Sequence, residues 1–464
     1  MLPEKFIASL AGLPGFNQEA FVQTHQVPAD FTSVRLNQFK PFELATHPFM
    51  HTMAPMSWCD QGYYLQGRPS FVLDPLWHAG AYYVQEASSM FLQTIISQLA
   101  DPQKYYKVLD LCAAPGGKTT LLANAFKNGL VVANETIKSR NAILEENCIR
   151  WGSDHIVVTQ NDPSHFKALP NFFDFIIADA PCSGSGLFRK DPQAIQEWSE
   201  ENVLHCSQRQ ERIIEESITA LQEGGYYIYS TCSYSFEEDE QIMDYIASLD
   251  GMASVDIQVS ASSGIVTTYS PKHKAQGFRF YPDKVKGEGF FIAVFQKQTA
   301  AYTSQFSSPF QFTTLSKSVQ AGLDAVYSLP IEANCIQHQD EIIALPMHCI
   351  QDLQTIRAHL YVKKMGMRIG ILKGRDLVPS HDLAMCQWAQ MPYEDISVEH
   401  IVVGDRLRVR PGEKIAVDGG IPGRQVLERQ YEQQNKQAVL RAQRQALLLH
   451  GLSEEQVETI LTKR

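Results

Sequence analysis

Nowhere in this 464-residue chain do apolar residues run unbroken for the roughly 18–20 positions that a membrane-spanning helix needs. The N-terminus, MLPEKFIASLAGLPGF, lacks the charged-then-apolar order of a secretory signal, so a cytosolic protein is expected. Closely spaced cysteine pairs are missing too. Cys59, Cys112, Cys148, Cys182, Cys206, Cys232, Cys335, Cys349 and Cys386 are scattered with no CxxC among them, which argues against a metal site. A reducing compartment would also disfavour disulfides. Positive charge is not in excess: 40 Lys and Arg against 51 Asp and Glu leave a net charge of −11. That balance excludes a uniformly basic nucleic-acid binder but not a local patch. Between Thr355 and Arg375 stand six basic residues (Arg357, Lys363, Lys364, Arg368, Lys373, Arg375) and no acidic one. Such a run is ordinarily a solvated face, and phosphate contact is the other reading.

What is present is an ordinary globular composition, 44% hydrophobic and 20% charged, on a length that allows about two to four domains. An N-terminal α+β region is expected over 1–77, mixing short helical patterns with turn signals. His78 to Leu99 reads as an amphipathic helix preceded by a loop. From Lys107 strand and helix patterns alternate. Strands are expected at Val108–Leu111, Leu130–Asn134, Ile156–Thr159, Phe175–Asp179 and Tyr226–Ser230. Helices are expected at Lys118–Phe126, Ile137–Trp151, Pro192–Leu221 and Glu237–Leu249. This alternation predicts an α/β, doubly wound, largely parallel sheet over 78–297, edged by a hairpin at Gly277–Lys297. A Ser-, Thr-, Gln- and Phe-rich linker is expected around 298–316, and a smaller mixed domain with strands at Glu341–Leu345 and Arg368–Leu372 over 317–391. An extension over 392–464 ends in a helical pattern from Glu428 to Arg464.

One strand, VLDLC, runs into the turn Cys112-Ala113-Ala114-Pro115-Gly116-Gly117-Lys118 and a helix start. Glycines let backbone approach a ligand closely, and a helix N-terminus favours negative charge. The turn lacks GxGxxG spacing and is not a GxxxxGK phosphate loop. Glu135 follows Asp110 by 25 residues at the next strand end, where an acid can accept hydrogen bonds from ribose hydroxyls. Asn161-Asp162, after the third strand, is placed to meet an adenine edge. Two further apolar strands end beside thiols, FDFIIADAPCSGSG at Cys182 and GGYYIYSTCSYS at Cys232. A cofactor loop and two thiols on one sheet edge suggest covalent chemistry beside a bound cofactor.

AAPGGKTT, ANE, DAPCSGSG, RKDP and STCS, in this order, resemble the RNA cytosine-5 methyltransferases of the Sun and nucleolar-protein type. VRLN, YYVQEASSM, GEGFF and KGRDLVPSH extend the likeness towards the branch acting on small-subunit ribosomal RNA, methyltransferase F. The resemblance implies a Rossmann-like S-adenosylmethionine-dependent methyltransferase core and methylation of carbon 5 of a cytidine in RNA, in 16S ribosomal RNA or the 30S subunit. It further implies a cytoplasmic monomer that engages no membrane. Transfer RNA is the alternative substrate, and a non-catalytic ribosome-assembly RNA-binding factor the alternative class. The latter predicts loss of a motif cysteine or of Asp179, and none is lost.

Carbon 5 of cytosine is a poor nucleophile until a thiolate adds to carbon 6, and the resemblance assigns that thiolate to Cys232. It assigns product release to Cys182, base contact near ring nitrogen 3 to Asp179, and orientation of Asp179 and the base to Lys118. Cofactor contacts fall to Cys112 through Lys118, Glu135, Arg140, Asp162 and Asp179. Trp58, Tyr82, Tyr83 and Phe188 are candidates to stack on a flipped base, though each is more often core. After Met391 the Gly- and Lys-rich strand pair of that branch is missing. Ile396 to Gly420 looks instead like an actuator segment of metal-transporting P-type ATPases, without the spans, phosphorylation motif or nucleotide domain of a transporter.

Overall fold

The computed structural model describes residues 2–45, 47, 49–299, 310–326, 333–373, 376–386, 395–396 and 414–415. The chain opens with α1 (Glu4–Ser9) and α2 (Gln18–Gln26), the latter capped by Asn17, whose side chain accepts from the Ala20 N–H at 3.0 Å. Both helices bury phenylalanines, Phe6 and Phe21, against Phe188, Tyr234 and Tyr281 of the catalytic sheet's loops. A four-stranded antiparallel sheet follows, from β1 (Phe31–Leu36), β2 (Ala54–Met56), β3 (Cys59–Gln66) and, after the short helix α3 (Pro75–His78), β4 (Tyr82–Val84), in the order β2-β3-β1-β4.

The single helix expected over His78–Leu99 does not form; only α4 (Leu92–Leu99) is α-helical. Tyr82–Val84 pairs with β1, Val34 opposite Val84, and a 3-10 turn (Ser88–Phe91) bridges to α4. Aromatic and β-branched residues suit a pleated, half-buried surface, and a partner strand was there to take them. Only the tail keeps helical spacing, with Leu92, Ile95 and Ile96 buried.

The catalytic sheet starts at β5 (Lys107–Asp110), followed by α5 (Gly117–Ala125), β6 (Leu130–Asn134), α6 (Lys138–Trp151), β7 (Ile156–Thr159) and β8 (Phe173–Asp179). Then come α7 (Pro192–Glu197), α8 (Glu200–Ser217), β9 (Leu221–Thr231), α9 (Glu240–Ser248), β10 (Met252–Ser254), β11 (Val266–Tyr269), β12 (Gln276–Phe280) and β13 (Phe290–Lys297). Strands β7-β6-β5-β8-β9 are parallel neighbours, with β13, β12 and β11 added antiparallel beyond β9. Chain order reverses at β5, so the crevice outside its carboxyl end is where such a sheet holds ligands. Successive residues point to opposite faces, and both faces are dry: Val108, Val131, Ile177 and Ile228 join one core, Leu109, Val132, Ile176 and Tyr229 the other.

Two expected helices are cut short for local reasons. Pro192–Leu221 breaks where Trp198 turns extended and Ser199 caps α8 by accepting from the Asn202 N–H at 3.0 Å; its last residue opens β9. Glu237–Leu249 starts as helix only at Glu240, because Glu238 and Asp239 are turned into the core with no accessible surface.

A smaller unit comprises α10 (Lys317–Val326), β14 (Ala333–His338), β15 (Glu341–Pro346), α11 (Ile350–His359), β16 (Val362–Lys364), β17 (Met367–Lys373), β18 (Asp376–Pro379) and α12 (His381–Met385). Strands β14-β15-β17-β18 form its own sheet, whereas β16 pairs antiparallel with β7 and joins the catalytic sheet. Most of the expected linker and of the Ile396–Gly420 segment, and all of the helix expected over Glu428–Arg464, lie outside the described residues. Among the described residues no helix is long and apolar enough to cross a membrane.

Candidate active site

The loop between β5 and α5 is held from three sides. Gly116 adopts φ 109°, a left-handed conformation that side-chain-bearing residues rarely take, and it is the last residue before α5. The Pro115 carbonyl accepts from Asn147 Nδ2 at 2.7 Å and from the Tyr83 hydroxyl at 3.2 Å, and the Ala114 carbonyl from Arg140 Nη2 at 3.0 Å. Arg35, in the first strand, is 1% exposed and reaches across to donate to Gln85 Oε1 at 2.8 Å, the Gly117 carbonyl at 3.2 Å and the Thr120 hydroxyl. Burial pulls its pKa down to about 10. The sequence reading singled out VRLN for likeness alone; its arginine anchors the N-terminal sheet to this loop.

A cavity of about 180 Å³ opens beside the loop, bounded by Tyr83, Asp110, Ala113, Pro115, Lys118 and Asp179 among others. Asp110 is fully buried; one oxygen accepts from the Thr119 hydroxyl at 2.6 Å and the other has no partner. Burial raises its pKa to about 7. Glu135 directly follows β6, with one oxygen accepting from the Ile137 N–H at 2.9 Å and the other 3.3 Å from Arg140. An unpartnered buried carboxylate oxygen, a second strand-end carboxylate and a glycine-led helix start fit a ligand with cationic groups and ribose hydroxyls. Cys112 contributes its backbone position, since burial drives its thiol far above the reactive range. Asp162 sits further out. It caps a 3-10 turn by accepting from the Ser164 N–H at 3.1 Å and pairs with Arg212 at 2.9 Å, an arrangement that lowers its pKa despite some desolvation. The neighbouring Asn161 side chain donates to the Tyr361 carbonyl and accepts from the Tyr361 N–H, both at 3.0 Å, clasping the strand of the small unit.

At the ends of β8 and β9 the four residues expected to carry chemistry are brought together. Lys118 Nζ lies 2.7 Å from Asp179 Oδ2 and 5.1 Å from the centre of the Phe290 ring, while Asp179 Oδ1 accepts from the Ser230 hydroxyl at 2.8 Å. Desolvation opposes the Lys118 charge, but Asp179 outweighs it and the ammonium's pKa is raised. Cys182 Sγ and Cys232 Sγ are 3.0 Å apart across the two loops. The hydrogen bond to Cys232, followed by burial, lifts the Cys182 thiol well above the ordinary range, so Cys182 retains its proton.

Glu238 was missed at the level of sequence, where it falls within the helix expected over Glu237–Leu249. Its Oε1 accepts from the Ser183 N–H at 2.8 Å and Gln210 Nε2 at 3.1 Å, and its Oε2 from the hydroxyls of Ser183 at 2.5 Å and Ser233 at 2.6 Å. Each serine directly follows one of the two cysteines. No local pattern marks that position; only the fold brings the two loops to one carboxylate.

The aromatic candidates divide. Trp58 donates to the Ala87 carbonyl, Tyr82 to Asp74, and Phe188 packs on Phe6, so all three are core. Tyr83 is buried but borders the cavity. The basic run is also divided: Lys364 is buried and donates to the Gly366 carbonyl, and Arg368 pairs with Glu145 and Asp382 at 3.1 Å. Lys363 and Lys373 remain exposed, and Arg375 lies outside the described residues.

Residues 97–296 match the family model described as 16S rRNA methyltransferase RsmB/F, and residues 2–87 match the N-terminal domain of 16S rRNA methyltransferase RsmF. Among curated proteins, ribosomal RNA small subunit methyltransferase F of Vibrio parahaemolyticus is 30% identical over 396 residues, 79% of each chain. The Shewanella baltica protein of the same name is 34% identical over 337 residues, 68% of each. Among solved structures, NSun6 from Pyrococcus horikoshii with SFG superposes at TM-score 0.54 with 20% identity, covering 64% of this chain and 99% of that one. A methyltransferase homologue from the same organism gives TM-score 0.50 and 26% identity, covering 64% and 100%.

Proposed function

The chain belongs to the ribosomal RNA small subunit methyltransferase F family of Sun-type RNA cytosine-5 methyltransferases, and we propose that it makes 5-methylcytidine in 16S ribosomal RNA through a covalent adduct on Cys232. It is an S-adenosylmethionine-dependent RNA methyltransferase. When bound, S-adenosylmethionine supplies the electrophilic methyl group that carbon 5 takes up. Asp110, the 112–118 loop and Glu135 would hold it, with Arg140 fixing Glu135 and Asp162 serving the outer end of the crevice.

The observation that carries the covalent reading is the pair of thiols 3.0 Å apart, set on the same sheet edge as the Lys118–Asp179 ion pair. In its thiolate form Cys232 adds to carbon 6, forming the S–C bond and moving the ring electrons to carbon 5. Asp179, oriented by Lys118 and Ser230, hydrogen-bonds the base near nitrogen 3, where charge changes on addition. After methylation the carbon-5 proton leaves to a base, the S–C bond breaks, and its electron pair returns to Cys232. The Cys182 thiol donates a hydrogen bond to that departing sulfur. A non-catalytic assembly factor would have no use for this arrangement. The enzyme acts in the cytosol as a monomer, on the 30S subunit or its RNA.

Replacing Cys182 with alanine tests the reading: a covalent protein–RNA adduct should accumulate and vanish when Cys232 is also replaced. Cytidine methylation by the single Cys232→Ala protein would overturn the assignment. Sequencing the trapped RNA separates ribosomal from transfer RNA.

A further inference from the structure

Two thiols 3.0 Å apart are chemically identical, yet the proposed cycle needs them to differ. One must act as a thiolate while the other keeps its proton. What differs is their surroundings. The loop of Cys182 runs onto Glu238, which takes both the backbone N–H and the hydroxyl of the next residue, Ser183. At the same sheet edge stands the Lys118 ammonium, held by Asp179 at 2.7 Å. We propose that Glu238 is a positioning residue that makes the two thiols unlike, keeping the proton on Cys182 and leaving Cys232 as the nucleophile.

Glu238 has no accessible surface, and its carboxylate takes four hydrogen bonds from the loops around the thiols and from α8. Two donors lie on the Cys182 loop, one on the Cys232 loop and one, Gln210, on α8. This position gives the carboxylate two effects. It ties the two loops together, and it places a negative charge in a buried, low-dielectric setting, where charge acts over longer reach than in water. Other titratable groups facing Cys182 do not supply the asymmetry. Tyr229 on β9 is pushed upward in pKa, chiefly by burial, and remains neutral, as does Cys206 on α8, which faces Glu238 and Cys232. Asp239 beside Glu238 is engaged by Arg279 at 3.0 Å and by the Thr231 hydroxyl at 2.8 Å. The raised pKa of Cys182, caused first by its hydrogen bond to Cys232 and then by burial, includes a contribution from Glu238.

The donor set allows a clean perturbation. The Oε1 side faces a backbone N–H and the Gln210 NH2, which also donates to the Pro181 carbonyl at 3.0 Å, whereas the Oε2 side faces two hydroxyls that can turn to accept. Glu238→Gln therefore keeps all four contacts with its oxygen on the first side and its NH2 on the second, and removes only the charge. The inference rests on the covalent reading, but its test does not need RNA. The rate of iodoacetamide alkylation of the full chain at about pH 8, mapped by peptide mass spectrometry, reads each thiol separately. In the native protein Cys182 should be the slower of the two to react. In Glu238→Gln the Cys182 rate should rise about tenfold, the change that a pKa lower by about one unit gives, while the Cys232 rate changes little. Rates that rise together, or not at all, would overturn the proposal. If Glu238→Gln fails to fold, Ser183→Ala with Ser233→Ala removes two hydroxyl bonds and keeps the charge. The Cys182 alkylation rate must then stay or fall, and a tenfold rise would refute the electrostatic role. Adduct trapping in Cys182→Ala checks the covalent reading independently, so failure of either is separable from failure of the other.

Discussion

Replacing Asp110 with asparagine should stabilise this protein at pH 8 while weakening its grip on the cofactor. Asp110 ends β5 with no accessible surface and one unpartnered oxygen. Burial lifts its pKa from 3.8 to about 7, against the opposing influence of Thr119 and Lys118. At about 1.36 kcal/mol per tenfold in the proton equilibrium, the charged form is penalised by at most roughly 4 kcal/mol. The folded value lies above the unfolded one, so the native chain holds a proton that the unfolded chain has released. The penalty is therefore absent below about pH 4, grows between pH 4 and 7, and is complete above that range. Asparagine carries no charge, but its new N–H groups meet the same unpartnered position and give back about 1–3 kcal/mol. The net gain should be about 1–3 kcal/mol at pH 8 and zero or negative at pH 5, read by urea titration at both values. The same variant should lose roughly 10–100-fold in S-adenosylmethionine affinity by calorimetry, since a hydrogen bond to a charged group contributes about 1.5–3 kcal/mol. Equal stability changes at the two pH values would refute the argument from burial, and unchanged affinity would remove Asp110 from the site.

Two more perturbations address the joints around the site. Arg35→Met leaves buried Gln85 Oε1 without its donor and takes one donor from the Gly117 carbonyl, so urea unfolding should show a loss of about 2–4 kcal/mol together with weaker cofactor binding; a loss below about 0.5 kcal/mol would make the anchor incidental. Asn161→Leu deletes both hydrogen bonds to the Tyr361 backbone, and hydrogen exchange at residues 362–364 should quicken by about tenfold relative to β15, unless β16 is held to β7 by its ladder alone.

Much of the catalytic sheet was readable because its signal is local. Buried parallel strands are short apolar runs, and β6 and β7 lie at the residues expected of them. The turn from Cys112 to Lys118 was readable for the same reason, since glycine at Gly116 answers a backbone requirement that belongs to that residue. Where reading failed, the deciding partner was distant in the chain. Tyr82 and Tyr83 became strand because β1 lay beside them, and Glu238 left its helix because Ser183 and Gln210 met it inside the pocket.

The chain by itself determined the alternation of strand and helix, the strand ends that carry Asp110, Glu135 and Asp179, and the motifs that hold the two cysteines. Spacing and residue type suffice for these, because each follows from backbone propensity and neighbouring residues. Tertiary structure alone decided that Cys182 and Cys232 lie 3.0 Å apart, that Lys118 meets Asp179 at 2.7 Å, and that one buried carboxylate ties both thiol loops together. The reason is physical: a buried charge or thiol takes its reactivity from groups within a few ångströms, and those groups come from segments far apart in sequence.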